Sequence, residues 1–357
     1  MERAPVTLVE PAALPAPDEL VTVVVPARNE ERSIAACLES VLAQDYRNLQ
    51  VIVVDGASTD ATPRIVTAIA DRDPRVHWLT DDRRSIPASL NAGLAEAEGA
   101  WLVRVDAHSV VPPDYVRLAV ARLREGKWGG VGGRKDGVSR TPAGRAISAA
   151  LGSRFGVGNS LYHYGTSACE VDHVPFGAYP VDLLRQLGGW DERLAANEDY
   201  ELDYRLRQAG HRLLFDPRLS ISWEARDTVG ALFRQYYRYG RGKADVVALH
   251  PASVSLRHLV PPAFVAYASG AVTLAATRPR WAGAMLLPYA TAVAAASVAV
   301  AQGLADWSER LYVPLAFMAM HVAWGSGFWS RLPGALWLRL RAGQGGQGGQ
   351  GGQVAMS

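Results

Sequence analysis

From Val21 to Phe215 the chain alternates short, β-branched apolar runs with stretches of helical spacing, and this alternation restricts the fold more than any other feature. Val21–Val25, closed by Pro26, is followed by helical spacing over Arg28–Ala43 through Ile34, Leu38, Val41 and Leu42. Val51–Val54 reads as the next strand, and Thr62 with Pro63 gives a cap and first-turn signal for a helix through Ile65, Val66 and Ile69. Val76–Leu79, a helix from about Pro87 to Ala97, and the strand Trp101–Val105 repeat the unit. Strands that are apolar on both faces need helices on both faces, so the expected fold class is α/β with a mostly parallel, Rossmann-like sheet. The rest of this region is less regular. Gly-rich stretches at Gly126–Gly137 and Gly152–Gly165 read equally as turns or as backbone that approaches a ligand. Helical spacing returns at Tyr200–Gln208, with Gly210 as its stop, and at Val229–Tyr239.

Past Arg257 the composition changes. Leu259–Thr277, Trp281–Gly303 and Leu311–Trp329 are almost free of charge, and each is near the roughly 20 residues that cross a bilayer. They lack the polar face that a buried helix of a soluble domain would carry, and so they are expected to be membrane segments. Arg278, Arg280, Arg331, Arg339 and Arg341 favour the inner side, which suggests two full crossings with Leu259–Thr277 re-entrant or interfacial. The expected organisation is a flexible segment at 1–20, a catalytic domain at 21–243, an interfacial linker at 244–258, membrane segments at 259–332 and a flexible low-complexity tail at 333–357. Met1–Glu19 is interrupted by Glu2, Glu10 and Asp18 and lacks a signal-peptide core, which places the catalytic part in the cytoplasm at the inner (plasma) membrane. A net charge of +2 with dispersed Lys and Arg gives no footprint for nucleic acid. Of the two cysteines, Cys37 lies in an apolar helical pattern and is expected to be a small buried hydrophobe. Cys169 with His163, Asp172 and His173 lacks regular ligand spacing and reads as loop.

Acidic residues follow the strands, where open α/β sheets bind nucleotides and phosphates. Asp55 ends a buried strand and is followed by Gly56, so it can accept from a base or ribose hydroxyl; Asp60 reads instead as a helix-entry residue beside Ser58 and Thr59. Asp106 and His108, one residue apart, lie on one side of an extended segment and can orient a divalent cation whose other positions are diphosphate oxygens and water. Glu198 and Asp199 open a helix, where the dipole favours anions, and Asp199 can act as general base toward an incoming hydroxyl. Read alone, these two and Glu201 would equally be first-turn acids of a solvated helix. Gln235, Arg238, Tyr239, Arg241 and Lys243 form a basic, aromatic helix end that suits a headgroup interface, a diphosphate or a sugar ring.

Val23–Glu31 (Val-Val-Val-Pro-Ala-Arg-Asn-Glu-Glu), Val-Asp-Gly-Ala-Ser-Thr-Asp ending at Asp60, the Asp106/His108 pair, Asn197–Asp199 and Gln235–Tyr239 together resemble a family 2 glycosyltransferase over Val21–Lys243. Within that family the likeness is to bacterial exopolysaccharide enzymes of the succinoglycan-biosynthesis ExoA type. The resemblance implies a GT-A fold, a nucleotide-sugar donor with a UDP-sugar foremost, Mn²⁺ or Mg²⁺, and inversion at the anomeric carbon. It places Pro26, Arg28, Glu30 and Asp55 at the nucleotide, Asp106 and His108 at the Asp-x-Asp motif, and Asp199 as the base beside Glu198. Gly177, Ala178 and Tyr179 would border the acceptor, with Gln235, Arg238 and Tyr239 at the acceptor or diphosphate. Two departures stand out: Gly56 replaces a second acid after the second strand, and His108 replaces the motif's second Asp. The expected activity is hexosyl transfer to a lipid-linked or oligosaccharide acceptor at the membrane, in exopolysaccharide or cell-envelope glycan synthesis. The alternatives are a non-catalytic nucleotide-sugar-binding scaffold and a processive synthase.

Overall fold

The computed structural model describes residues 19–345. In chain order the elements are β1 (Val21–Ala27), α1 (Ile34–Leu42), β2 (Leu49–Asp55), α2 (Thr62–Ala70), β3 (Val76–Thr80), α3 (Ile86–Ala95), β4 (Trp101–Arg104), β5 (Ser109–Val110), α4 (Tyr115–Leu123), β6 (Gly130–Gly132) and β7 (Lys135–Val138). They continue with α5 (Pro142–Leu151), α6 (Arg154–Val157), β8 (Cys169–Val171), β9 (Ala178–Pro180), α7 (Val181–Gln186), α8 (Glu198–Gln208), β10 (Leu213–Phe215), β11 (Ile221–Glu224), α9 (Val229–Leu249), α10 (Leu256–Ala275), α11 (Pro279–Ala301) and α12 (Trp307–Gly345). One compact unit ends at Ala225 and a second begins at Arg226, so residues 226–243 group with the helices rather than with the sheet.

The first unit is built on an eight-stranded sheet of order β3-β2-β1-β4-β9-β6-β10-β8, beside a small sheet β5-β11-β7. The first four strands are parallel, as the alternation predicts. The second half is mixed, because β9 runs antiparallel to β4 and β6, and β8 antiparallel to β10. Each face has its own core. Val23, Val25, Val51 and Val53 pack with Ile34, Cys37 and Leu38 of α1, whereas Val24, Ile52 and Val54 pack with Leu90 and Leu94 of α3. Cys37 is fully buried, and loss of water pushes its thiol pKa up out of the reactive range. Pro26 does not close β1. The strand runs on to Ala27, since β4 ends opposite Val24 and leaves nothing on that side for a Pro26 N–H to pair with.

The parallel register sets Ala27 level with Asp55, so the loops leaving β1 and β2 emerge together. They are tied by Asn29 N–H to Ser58 Oγ (2.8 Å), Thr59 N–H to Asn29 Oδ1 (2.8 Å) and Glu30 N–H to Thr62 Oγ1 (2.8 Å). Asp60 caps the entry to α2 by accepting from Thr62 N–H (3.0 Å).

In the second unit α9 extends ten residues past Tyr239. Gly240 and Gly327 bring α9 and α12 into backbone contact: a Cβ at 240 would stand 2.0 Å from the Trp324 carbonyl oxygen, and one at 327 would stand 2.1 Å from that of Tyr237. Arg331 Nε donates to Asp245 Oδ1 (2.7 Å) across the same pair. α10, α11 and α12 are each long and apolar enough to cross a membrane, and they expose Val260, Tyr267, Trp281, Leu287, Leu311 and Leu315. α10 is continuous through Pro261 and Pro262, so no dip and return occurs within it. α12 reaches Gly345 and takes in residues 333–345 of the expected tail. The rest of that tail, and residues 1–18 of the expected amino-terminal segment, lie outside the described residues.

Candidate active site

The carboxyl ends of β1, β2 and β4 converge with the start of α8. Among the described residues five non-glycines hold a positive φ, and Asn29 (56°), Ala57 (57°), Phe176 (50°) and Asn197 (64°) all belong to these loops. Such backbone is costly for a bulky residue, and at Phe176 the cost is about 1–3 kcal/mol. The surrounding packing holds it there.

Asp55 is buried at the end of β2. Its Oδ2 accepts from Ser58 N–H (3.1 Å), whereas Oδ1 is buried with no protein partner. An acceptor oxygen without a donor suits a ligand hydroxyl or N–H. Arg28 is exposed beside Gly56, and Pro26 lies at the end of β1. Glu30 accepts from Ser33 Oγ (2.8 Å), and its other oxygen is 3.3 Å from His108 Nδ1.

The sequence reading missed the residue that organises the site. Arg104, the last residue of β4, is 3% exposed. Its Nε donates to Asp106 Oδ1 (2.9 Å), and its Nη1 donates to Glu198 Oε1 (3.2 Å) and, at close range, to Asp199 Oδ1. Its guanidinium carbon lies 5.5 Å from the centre of the Phe176 ring. One cation therefore serves three carboxylates, and it cannot neutralise them all. Despite its burial, Asp106 is held below the usual carboxylate range by Arg104, His108 and Lys135. Asp199 is pushed well above that range by burial and, against the pull of Arg104, by Glu198, Asp106 and Asp203. It is the member of the group that keeps a proton most readily. Arg104 itself stays charged, because the three acids outweigh the desolvation of its guanidinium.

α8 is not a solvated helix. Glu201 is buried and pairs with Arg205 (2.7 Å), which also donates to the carbonyls of Leu187 and Gly189. Asp203, fully buried, accepts from Val174 N–H (2.8 Å) and Tyr179 Oη–H (3.2 Å) and contacts His173 Nδ1 (2.8 Å). Ala178 and Tyr179 lie inside β9, and Gly177 gives its carbonyl to Arg104 N–H (3.2 Å). These three residues hold β4 and α8 in place rather than presenting side chains to a ligand. Gln235, Arg238 and Tyr239 lie on α9 in the second unit, where Gln235 Nε2 donates to Tyr239 Oη (3.0 Å).

Among the described residues no three His, Cys, Asp or Glu side chains form a ready-made metal cluster. Two donors are nonetheless well matched to a divalent cation that also binds diphosphate. Asp106 offers a hard oxygen, and His108, with Nδ1 toward Glu30, would present Nε2. A carboxylate behind the imidazole is the usual way of orienting a histidine ligand. The set fits Mn²⁺ or Mg²⁺ with substrate oxygens completing the shell.

The chain is also similar to known proteins over most of its length. The profile "Glycosyl transferase family 2" matches residues 22–174, and "Glycosyl transferase family group 2" matches residues 101–339. The succinoglycan biosynthesis protein ExoA of Rhizobium meliloti (strain 1021) is 33% identical over 317 residues, covering 87% of this chain and 94% of that protein. The dolichyl N-acetyl-alpha-D-glucosaminyl phosphate 3-beta-D-2,3-diacetamido-2,3-dideoxy-beta-D-glucuronosyltransferase of Methanococcus voltae is 23% identical over 237 residues, covering 64% of this chain and 74% of that protein. The solved mannosyltransferase PcManGT of Pyrobaculum calidifontis, in complex with GDP-Man and Mn²⁺, superposes with a TM-score of 0.59 at 23% identity, covering 87% of this chain and 86% of that one. That likeness is one of fold, the GT-A arrangement. By profile and by identity over nearly its whole length, the chain belongs to glycosyl transferase family 2 and is a glycosyltransferase.

Proposed function

We propose that this glycosyltransferase inverts the anomeric carbon as it moves a hexosyl group from a nucleotide-sugar to a lipid-linked saccharide at the membrane. The observation that carries the reading is the Arg104 bridge, which sets a donor-side acid, Asp106, beside a carboxylate of raised basicity, Asp199. Asp55 Oδ1 would accept from the nucleotide, and Arg28 would face its phosphates. Asp106 and His108 would hold Mn²⁺ or Mg²⁺, which when bound neutralises charge on the departing diphosphate. Asp199 would take the acceptor hydroxyl proton as that oxygen attacks the anomeric carbon in line. Glu198, also held by Arg104, raises the basicity of Asp199 through its charge. A UDP-sugar is the first donor to try. The solved mannosyltransferase is in complex with GDP-Man and Mn²⁺, which supports a nucleotide-sugar and a divalent cation in general.

Placement at the inner membrane with the catalytic unit cytoplasmic rests on the three apolar helices and on the basic segments flanking them. α9 bears Arg234, Arg238, Arg241, Lys243 and Asp245 and cannot enter the bilayer, yet it packs on Trp324–Arg331 of α12. The end of α12 then returns to the α9 side, which supports α11 and α12 as the two crossings and α10 as an interfacial helix. The test is incubation of membranes with UDP-, GDP- and dTDP-sugars plus Mn²⁺ or Mg²⁺, followed by mass spectrometry of the lipid extract. A mass gain of one hexose on a lipid-linked species is expected; no gain from any donor would overturn the reading.

A further inference from the structure

Where arginines reach the surface of the first unit, an acid two residues away often pairs with them. Arg75 meets Asp73 (2.7 Å), Arg83 meets Asp81 (2.8 Å), Arg193 meets Asp191 (2.5 Å) and Arg218 meets Asp216 (2.8 Å). α9 departs from this habit. From Val229 to Ala244 it carries Arg234, Arg238, Arg241 and Lys243 and no Asp or Glu. Lys243 is buried, whereas the three arginines are exposed. Spacings of four and three residues set them on one helix face, in a row about 10 Å long. Phe233, 38% exposed, and Tyr237 lie beside them. Among the described residues none of the three arginines pairs with a carboxylate, and Asp245, the next acid along the helix, is taken by Arg331 (2.7 Å).

The packing of α9 fixes the depth of this row. Gly240 lies against the Trp324 carbonyl of α12, and the Tyr237 hydroxyl hydrogen-bonds both Arg241 and Ser330. Aromatic rings gather at the same level. Tyr236 lies 5.7 Å from Tyr239 and Trp324 lies 5.9 Å from Phe328, centre to centre. Trp329, 46% exposed, donates its indole N–H to the Pro262 carbonyl at the start of α10 (2.8 Å). Tyr and Trp in such a belt mark the boundary between hydrocarbon and water, so the arginine row stands at headgroup level. Guanidinium forks match phosphate oxygens in pairs, and the counter-charge that the chain does not supply is present in an anionic leaflet.

We infer that the exposed face of α9 is a docking surface for anionic phospholipids, whose phosphates accept from Arg234, Arg238 and Arg241 while Phe233 reaches the acyl boundary. This inference rests on the membrane placement proposed above, so its test reads membrane insertion and lipid choice separately. Native mass spectrometry of the full chain in detergent would count bound phosphatidylglycerol and phosphatidylcholine as each is titrated in. The wild type should bind phosphatidylglycerol the more tightly. Each arginine near an anionic surface contributes about fivefold, so Arg234→Gln with Arg241→Gln should cost about tenfold or more in phosphatidylglycerol affinity and leave phosphatidylcholine unchanged. Arg234→Lys with Arg241→Lys should keep most of the affinity, and Arg278→Gln with Arg280→Gln should keep all of it. Should the double Gln variant fail to fold, Arg234→Gln alone decides by its fivefold loss. Equal affinity of the wild type for the two lipids, an unchanged double Gln variant, or displacement of phosphatidylglycerol by inorganic phosphate at equal concentration would overturn the assignment. A chain that alkaline carbonate strips from vesicles of the two lipids would sink the membrane placement and this surface with it. One that stays in the vesicles but shows no lipid preference would sink the surface alone.

Discussion

Replacing Arg104 by Met removes the cation that Asp106, Glu198 and Asp199 share, in a place where water cannot take over. Breaking a buried ion pair from one side costs about 3–5 kcal/mol, because the partner charges stay behind uncompensated. In a unit of this size each kcal/mol lowers the melting point by roughly 2–4 °C, so a fall of roughly 6–20 °C is expected. A domain stable by about 5–15 kcal/mol still folds after such a loss, and proton uptake by the carboxylates softens it. The rate suffers separately. Arg104 fixes the gap between donor-side acid and base, and a shift of about 1 Å at reacting groups costs about a hundredfold. Arg104→Lys keeps the charge but not the planar fork, so it should recover most of the melting point and little of the rate. Mn²⁺ affinity of the donor-free protein, read by electron paramagnetic resonance, should rise roughly tenfold in the Met variant and not in the Lys variant. A structural defect alone would weaken metal binding. The reasoning fails if Arg104→Met melts within a degree or two of wild type, or if Arg104→Lys transfers at full rate.

Asp199→Asn should cut transfer by about a hundredfold or more while donor binding by calorimetry is kept, since an amide cannot take the proton. The folded Asp199 pKa is raised, so the ionised group costs stability that grows as pH rises through the window between the unfolded value and the raised one; at neutral pH the Asn variant should melt at or above the wild-type temperature. For the same reason the wild-type transfer rate should fall on the acid side well above the ordinary carboxylate pKa of about 4, and a rate flat down to that value would exclude Asp199 as the base. Asp106→Ala should lose metal-dependent donor binding, and His108→Asp should shift preference from Mn²⁺ toward Mg²⁺; equal donor affinity with and without metal would remove the cation from the site. On a background lacking Cys37 and Cys169, a cysteine at Ser308 should react with an impermeant reagent outside intact cells, and one at Gly343 should not. Labelling at Gly343 from outside would defeat the two-crossing arrangement.

Much of the fold was readable because its strongest signals are local. β1, β2 and β4 are buried on both faces, which only a sheet covered on both sides provides, so their positions and parallel pairing follow from the residues, and β3 joins them as a partly exposed edge strand. β6, β8, β9 and β10 were not readable, since strands of three residues show no period, and their pairings, parallel between β6 and β10 and antiparallel at β8 and β9, are decided by partners far away in sequence. The continuation of α9 past Tyr239 was hidden for a related reason. Gly240 weakens a helix considered alone, and its value appears only when Trp324 of α12 is seen to need the space.

The site divides along the same line. Asp55, Asp106 and Asp199 could be picked out because an acid after a strand or at a helix start has a meaning where it stands. Arg104 had no such meaning: in Arg-Val-Asp-Ala-His it is a polar residue in an apolar strand, and its partners on α8 lie 94 and 95 positions away. Alternation along Arg104–Asp106 sets these two side chains on one side, which was the available signal, whereas Asp106–His108 is not extended as expected but a turn in which Ser109 N–H donates to the Asp106 carbonyl (2.9 Å). The replacement of the motif's second Asp by His108 also changes meaning once the loops are in place. Glu30, assigned by resemblance to the nucleotide, stands 3.3 Å behind the imidazole. A carboxylate behind a histidine raises the basicity of the outward nitrogen and fixes its direction, so the acid missing from position 108 is still present, one bond network further out. In the proposed metal site the imidazole would carry toward the cation what Glu30 cannot reach, and a softer, nitrogen-tolerant cation such as Mn²⁺ would gain over Mg²⁺.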